Sequence, residues 1–351
     1  MLLPFFPQGS PRVVFHGLAL LFGTLVLVGG CAMPATAAAQ KALRPDYEDF
    51  IAEMVRKHEF RRDRLRRVFS QVQLRPAIIR AISTPATAKP WYEFRSRYVN
   101  TERIDGGLRF WGQNAAALAR ASREFGVPEE IIVAIIGIET HYGRNTGSFR
   151  VLDALATLAF DYPPRAGFFM EQLEEYLLLS REARLNVLDV KGSYAGAIGI
   201  PQFLPGSYRK YAIDFDGDGR RDLNDAADAI GSIANYLQSF GWQAGEPVAV
   251  PAEAGESDTD AMLAAGLKPA IKVGELRRRG ITPLAPVRDE AEAALFTVET
   301  ASGTDYWLGL QNFYVITRYN RSARYAMAVH DLAEAIAQRL NTNPSVAAAR
   351  P

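Results

Sequence analysis

The sequence predicts an α+β protein, mainly helical, whose helices are interrupted by a small β insert. Three observations carry this reading. Apolar residues recur at three- and four-residue spacing through most of the chain. Between Glu246 and about Leu310 that period gives way to short, Pro-flanked apolar runs. After Gln311 the helical spacing returns. With 351 residues, 48% of them hydrophobic and 23% charged, the chain has the length for two or three domains and the apolar content for a sizeable core.

At the N-terminus, Arg12 and His16 precede an apolar run from Gly17 to Val28, and small residues follow. This reads as a secretory signal, since a membrane span needs about 20 apolar residues. Cys31, the only cysteine, directly follows Val28-Gly29-Gly30. That arrangement resembles a bacterial lipoprotein processing site, at which Cys31 would be lipidated and become the new N-terminus. Later cleavage near Ala35-Thr36-Ala37, releasing a soluble protein, is the alternative. In either case the mature chain is exported, with no disulfide and no thiol catalyst. Residues 1–31 are therefore assigned to the signal and 32–44 to a small-residue tether. Ala32 stands after the cysteine where an aspartate would favour the inner membrane, so the expected location is the periplasmic side of the outer membrane.

Residues 45–90 form a helical region, with Phe50, Met54 and Val55, then Leu65, Val68 and Phe69, at helical spacing. Its basic residues Arg56, Lys57, Arg61, Arg62, Arg64, Arg66 and Arg67 are read as a solvated face. The net charge of +1 supplies no global field for nucleic acid. Residues 91–245 open on the aromatics Trp91, Tyr92, Phe94 and Tyr98. Within them Pro128, Glu129 and Glu130 suit a helix N-terminus. That helix has no polar face from Ile131 to Ile138, and it delivers one carboxylate, Glu139. Another helix runs from Asp225 to Phe240, striped by Ile230, Ile233, Ala234 and Leu237 and stopped by Gly241. Residues 246–308 are the β insert. Its expected strands are Val248-Ala249-Val250, Ile271-Lys272-Val273, and Leu295–Val298 joined to Tyr306–Leu308 through a turn at Ser302–Asp305. Residues 309–342 are a helical return, and 343–351 a tail.

A charge at the end of a buried helix is unfavourable unless paired, so Glu139 asks for an explanation. Two other segments carry unusual residues. In Gly192–Phe203, glycines and alanines let a ligand approach the backbone and leave Ser193 and Gln202 as short polar groups. In Asn312–Asn320, Tyr319 and Asn320 close an apolar helical run. With Tyr92, Phe94 and Tyr236 these would line an aromatic groove suited to sugar rings. Most glycosidases use two carboxylates, ~5–5.5 Å or ~6.5–9.5 Å apart. None stands at neighbouring helical spacing to Glu139. Asp153 and Asp161 are candidates by sequence distance, with Asp153 better read as the cap of a helix beginning at Ala154. Burial against Ile135, Ile136 and Ile138 would raise the pKa of Glu139.

Asp214 to Asp225 has the spacing of an EF-hand loop: Asp214, Asp216, Asp218, the Arg220 carbonyl, Asp222 and Asp225 at positions 1, 3, 5, 7, 9 and 12, with Gly219 at 6. Position 12 is an aspartate instead of the usual glutamate. A structural calcium ion is expected here, with a merely acidic turn as the alternative.

From about Trp91 to Trp242, and again from Tyr306 to Asn320, the chain closely resembles the membrane-bound lytic murein transglycosylase B family. The match rests on Ile138-Glu139-Thr140, Leu152–Leu158, Gly192–Ala197 and Asn312–Asn320, in that order. The resemblance implies a lysozyme-like core with an additional helical domain. It implies cleavage of the β-1,4 bond between N-acetylmuramic acid and N-acetylglucosamine in peptidoglycan, with Glu139 as acid/base and no cofactor for the chemistry. It also implies that Ser193, Gln202, Tyr236 and Asn320 line the glycan groove, with Phe94 and Tyr319 beside them. Phe94 stands where the family has tyrosine, which keeps ring stacking and loses a hydroxyl. Asp228 is implied as a closing carboxylate, so Asp225 and Asp228 both remain candidates. A single acid suffices if the muramic 2-acetamido oxygen stabilises the positive sugar and its own C6 hydroxyl replaces water, giving a 1,6-anhydro product. The rivals are a hydrolytic muramidase and a non-catalytic, calcium-dependent peptidoglycan-binding lipoprotein.

Overall fold

The computed structural model describes residues 43–84, 90–255 and 259–342. The signal, Cys31, most of the tether and the 343–351 tail lie outside the described residues. The chain divides between Gln71 and Val72 into two compact units.

The first unit is a pair of helices, α1 (Pro45–His58) and α2 (Arg62–Phe69). Pro45 opens α1, with Asp46 and Glu48 in its first turn and Arg56, Lys57 and His58 in its last, as the macrodipole favours. Tyr47 and Phe50 of α1 meet Phe69 of α2 at ring-centroid distances of 5.1 and 5.6 Å. The arginines form an exposed face, where Arg66 pairs with Glu48 at 2.8 Å and Arg67 with Asp63 at 3.0 Å.

The second unit continues with α3 (Pro76–Ser83), α4 (Trp91–Tyr98), α5 (Thr101–Phe125) and α6 (Glu129–Thr140). Strand β1 (Phe149–Arg150), α7 (Val151–Asp161), α8 (Ala166–Glu182), β2 (Lys191–Gly192), α9 (Pro205–Tyr211) and α10 (Ala226–Ser239) follow. The centre is α6, on which every residue from Ile131 to Ile138 is buried. A helix apolar all round needs neighbours on all sides. Here α5, α10 and α14 (Ala323–Thr342) supply them. Helix α5 kinks at Asn114, whose side chain donates to the Phe110 carbonyl at 2.8 Å, an inserted polar group of the kind that bends helices.

Asp153 does not cap a helix. Helix α7 already begins at Val151, so Asp153 lies inside its first turn. There it is buried, bound by Arg150 at 2.8 and 2.9 Å and by the Gln73 N–H at 2.9 Å. A carboxylate so occupied serves the fold.

The insert is a five-stranded antiparallel sheet in the order β4-β6-β7-β3-β5. Its strands are β3 (Ala249–Ala254), β4 (Ile271–Lys272), β5 (Ile281–Pro283), β6 (Glu292–Thr300) and β7 (Gly303–Gly309), with the short helices α11 (Asp260–Ala264) and α12 (Val273–Arg278) between strands. Val250, Leu276, Ile281, Leu295 and Leu308 share its core. Thr300 pairs with Gly303, so the hairpin turns at Ala301-Ser302, and Gly303 to Asp305 belong to β7. The expected turn was therefore placed too late, because the ladder continues to a tight two-residue loop. Helix α13 (Gln311–Tyr319) and α14 complete the unit.

Candidate active site

Glu139 occupies the last turn of α6, half-buried where its neighbours along the helix are fully buried. The chain then turns back sharply. His141 and Tyr142 take left-handed backbone at φ 53 and 62, and their N–H groups donate to the Gly137 and Ile136 carbonyls. Paired bonds of this kind close helix C-termini, although glycine is the usual occupant. Thr140 fastens the end of α6 to the Gly192–Phe203 loop: its hydroxyl donates to the Ile200 carbonyl at 3.0 Å and accepts the Gly143 N–H at 3.0 Å.

The Glu139 carboxyl accepts a hydrogen bond of 2.6 Å from the Tyr325 hydroxyl. Burial pushes this carboxyl above the ordinary glutamate range, and the Tyr325 bond opposes the shift. Three tyrosines register its charge. Burial first, and Glu139 second, raise Tyr98, Tyr319 and Tyr325, so all three stay neutral phenols at ordinary pH.

The surrounding side chains come from elements far apart in sequence. Tyr319 stacks on Tyr325 at 6.3 Å and meets Tyr236 of α10 edge-on at 5.0 Å. Its hydroxyl donates to the Pro201 carbonyl at 2.5 Å, and that of Tyr236 donates to the Arg318 carbonyl at 2.7 Å. Phe203 lies against both rings. Gln202 sits in left-handed backbone (φ 52), and its amide donates to the Thr146 and Gly199 carbonyls at 3.0 and 2.9 Å. The Ser193 hydroxyl accepts the Ala195 and Ala197 N–H groups at 3.3 and 3.0 Å. Gly192 is needed here, because a Cβ on it would lie 2.2 Å from the Ala197 carbonyl oxygen. Asn320 ends α13, and among the described residues its side chain makes no hydrogen bond. Phe94 is buried between Trp91 and Tyr98, at 5.9 and 5.1 Å, while Tyr92 is exposed.

The acidic loop leads into α10. Asp214 accepts the Gly217 and Gly219 N–H groups, Asp216 that of Asp218, and Asp218 that of Arg220. Asp225 caps α10, accepting from Ala227 at 2.7 Å and Asp228 at 3.2 Å. Asp228 is buried and accepts the Phe215 and Asp222 N–H groups at 2.6 and 2.7 Å. Asp214, Asp216 and Asp228 each bring an oxygen within 4.8 Å of the others. The Asp218 N–H draws the Asp216 pKa down, yet burial and the Asp218, Asp228 and Asp225 charges carry it above the ordinary value. Hard oxygen donors under mutual repulsion fit a divalent cation such as calcium.

The end of α6 thus carries one carboxyl raised by burial and bonded to a tyrosine, with Thr140 and Tyr319 beside it fastened to the glycine-rich loop. The transglycosylase SLT domain family matches residues 42–334. The chain belongs to that family. It is 43% identical over 306 residues to the membrane-bound lytic murein transglycosylase B of Escherichia coli (strain K12), covering 84% of each chain. Among solved structures, it is similar to the catenated lytic transglycosylase SltB1 from Pseudomonas aeruginosa, with 49% identity and a TM-score of 0.81 over 84% of this chain and 98% of that one. It is also similar to the Escherichia coli lytic transglycosylase Slt35 in complex with calcium, with 42% identity and a TM-score of 0.76 over 84% and 93%. The fold is accordingly the lysozyme-like, mainly helical α+β architecture.

Within this family member, the structure gathers Glu139, Tyr236 and Tyr319 into one aromatic cluster and ties Gln202 and Ser193 into the adjoining loop. Sequence reasoning missed Tyr325 and Arg103, and it names Tyr98 only among the aromatics that open residues 91–245. Tyr325 opens the run Tyr325-Ala326-Met327-Ala328-Val329, and a hydroxyl beginning so apolar a helical face was the available signal. Arg103 sits over the Tyr98 ring at 5.5 Å and donates to the Gly137 carbonyl.

Proposed function

We propose that in this peptidoglycan lytic transglycosylase Glu139 serves in turn as acid and base. The carrying observation is the Glu139 carboxyl at the end of the buried helix α6, raised by burial and bonded to the Tyr325 hydroxyl at 2.6 Å. Glu139 gives its proton to the glycosidic oxygen as the bond to C1 of N-acetylmuramic acid breaks, releasing N-acetylglucosamine as the leaving alcohol. The substrate's 2-acetamido oxygen stabilises the positive C1. Tyr325 steadies the carboxylate so formed, since its hydroxyl donates to Oε1 and leaves Oε2 to exchange the proton with substrate. The carboxylate then takes the proton of the muramic C6 hydroxyl as O6 bonds to C1, which restores the acid and leaves a 1,6-anhydro ring. A single carboxyl thus does the work usually divided between two, as substrate-assisted glycosidases allow.

Tyr236, Tyr319, Phe94, Ser193, Gln202 and Asn320 are assigned to the glycan groove. Calcium, held by Asp214, Asp216, Asp218, the Arg220 carbonyl and Asp228, would brace the loop and through it α10, which carries Tyr236. Asp225 is assigned to capping, since both of its hydrogen bonds go to the first turn of α10. Lipidation of Cys31 would anchor the enzyme to the outer membrane. Similarity to a membrane-bound relative supports an envelope location, and no described helix is long and apolar enough to cross a membrane.

Mass spectrometry of the products from purified sacculi tests the reaction. Anhydro-muropeptides are expected. Reducing muropeptides would make water the acceptor, and no soluble product would make the chain a binder.

A further inference from the structure

Tyr142, three residues after Glu139, is a large side chain that the reaction above does not use. It stands in left-handed backbone beside His141. A bulky residue persists in that region only when its surroundings over-determine it. Three glycines form those surroundings. A Cβ on Gly106 would lie 2.6 Å from Cε2 of the Tyr142 ring. On Gly107 it would lie 2.9 Å from the hydroxyl, and on Gly137 2.6 Å from the hydroxyl and 2.7 Å from Cζ. None of the three has a positive φ, and all lie inside α5 or α6. Their backbone would accept alanine, which favours helix more than glycine does. Tyr142 is what requires Gly106 and Gly137 to be glycine, and at Gly107 it shares that requirement with Ile336, whose Cδ1 would lie 2.6 Å from the added Cβ.

The ring is also pinned. Its hydroxyl donates to the Arg103 carbonyl at 2.6 Å, and the Arg103 guanidinium donates to the Gly137 carbonyl. Phe110 lies against the ring at 5.9 Å. One residue of α5 therefore grips both Tyr142 and the final turn of α6, where helices otherwise fray.

We propose that Tyr142 is a positioning residue: locked in the slot of Gly106, Gly107 and Gly137, it fixes the last turn of α6 and so the direction in which Glu139 presents its carboxyl. This rests on the reading of Glu139 as the acid/base. Productive geometry tolerates only about 0.5 Å of error, so a loosened final turn lowers turnover more than it lowers glycan binding.

The test measures kcat and KM of the full enzyme on soluble N-acetylglucosamine–N-acetylmuramic acid oligomers. Tyr142→Gly removes the ring while relieving the left-handed backbone. It is expected to lower kcat by about 30-fold with KM within about twofold, a loss of placement without a loss of binding. Gly137→Ala pushes the ring out and should match that loss. Added to Tyr142→Gly, it should cost no more than about a further twofold, because the slot is already empty. Wild-type kcat in Tyr142→Gly, or full multiplication of the two effects, overturns the proposal. If Tyr142→Gly does not fold, Tyr142→Phe decides: it keeps the ring and loses the Arg103 bond, so a several-fold fall in kcat is expected and an unchanged kcat overturns the proposal. Glu139→Gln runs alongside. If it is inactive while the Tyr142 and Gly137 variants turn over normally, only the positioning role falls. If it retains turnover, the acid/base reading falls and takes the positioning role with it.

Discussion

At Glu139, burial favours the neutral carboxyl and the Tyr325 hydroxyl favours the charged one, with burial the stronger. A folded pKa raised above its unfolded value means the native state binds the extra proton. Stability present below the ordinary glutamate pKa is therefore lost as pH rises towards the folded value. Glutamine keeps the shape and stays neutral. Glu139→Gln should lower turnover by about 10²–10⁴-fold, the usual loss with acid–base catalysis, while raising the melting temperature at neutral pH. A melting temperature that falls along with activity would make Glu139 a structural residue. Two of the polar residues proposed for the groove, Gln202 and Asn320, separate in the same way. Gln202 clamps two carbonyls from a left-handed position, whereas the Asn320 side chain bonds to no described residue. Asn320→Ala is thus expected to lose activity at unchanged melting temperature, and Gln202→Ala to lose both. Thermal scans of the purified variants beside their sacculus digestion rates decide it, and a destabilised Asn320→Ala would return that residue to the fold.

The acidic loop and α10 act as one element. Gly231 leaves room for Phe215, whose Cγ would lie 2.3 Å from a Cβ there, and Ser232 accepts the Ile213 N–H at 3.0 Å. A cation in the loop would therefore brace the helix that carries Tyr236. A ligand that binds only the native state adds about 2.7 kcal/mol at 100 times its Kd, so excess calcium should raise the melting temperature over excess chelator. Asp228 is a poor choice for mutation, because its bonds to Phe215 and Asp222 hold the loop even without metal. Asp216→Asn with Asp218→Asn should instead abolish the calcium-dependent shift and leave Glu139 competent. Wild-type curves that coincide in calcium and chelator would remove the metal. The loop's spacing was readable from sequence because ligand positions are local. The capping role of Asp225 and the burial of Asp228 were not, because they depend on where α10 starts and on which face it buries. Long periodic helices such as α6 and α10, and the β6–β7 hairpin, were legible for the same local reason. Strand β5, α11 and α12 are too short to show a period, and Asp153 looked like a cap until α7 proved to begin at Val151 and its partners proved to be Arg150 and Gln73.

Across the whole molecule, the site depends on contacts that local pattern does not encode: Tyr325 reaches Glu139 across 186 residues. The residues proposed for the groove could be read as a set only because several motifs of one family occur in order, and Tyr325 and Tyr98 stand outside those motifs. All of the proposed groove side chains lie between Phe94 and Tyr325, well after Cys31 in the chain. Anchoring and catalysis should therefore be separable. One acyl chain gives only marginal membrane binding, so stable attachment needs the several chains of a mature bacterial lipoprotein, all carried on that one cysteine and its amino group. Cys31→Ala would remove the proposed attachment point and leaves every residue proposed for the groove unchanged. The variant is expected either in the soluble periplasmic fraction or as an unprocessed precursor, which its mass distinguishes. Purified, it should still release anhydro-muropeptides from sacculi at the wild-type rate. Fractionation and mature mass unchanged from wild type would place cleavage beyond Cys31, near Ala35-Thr36-Ala37, and make the enzyme a soluble periplasmic one.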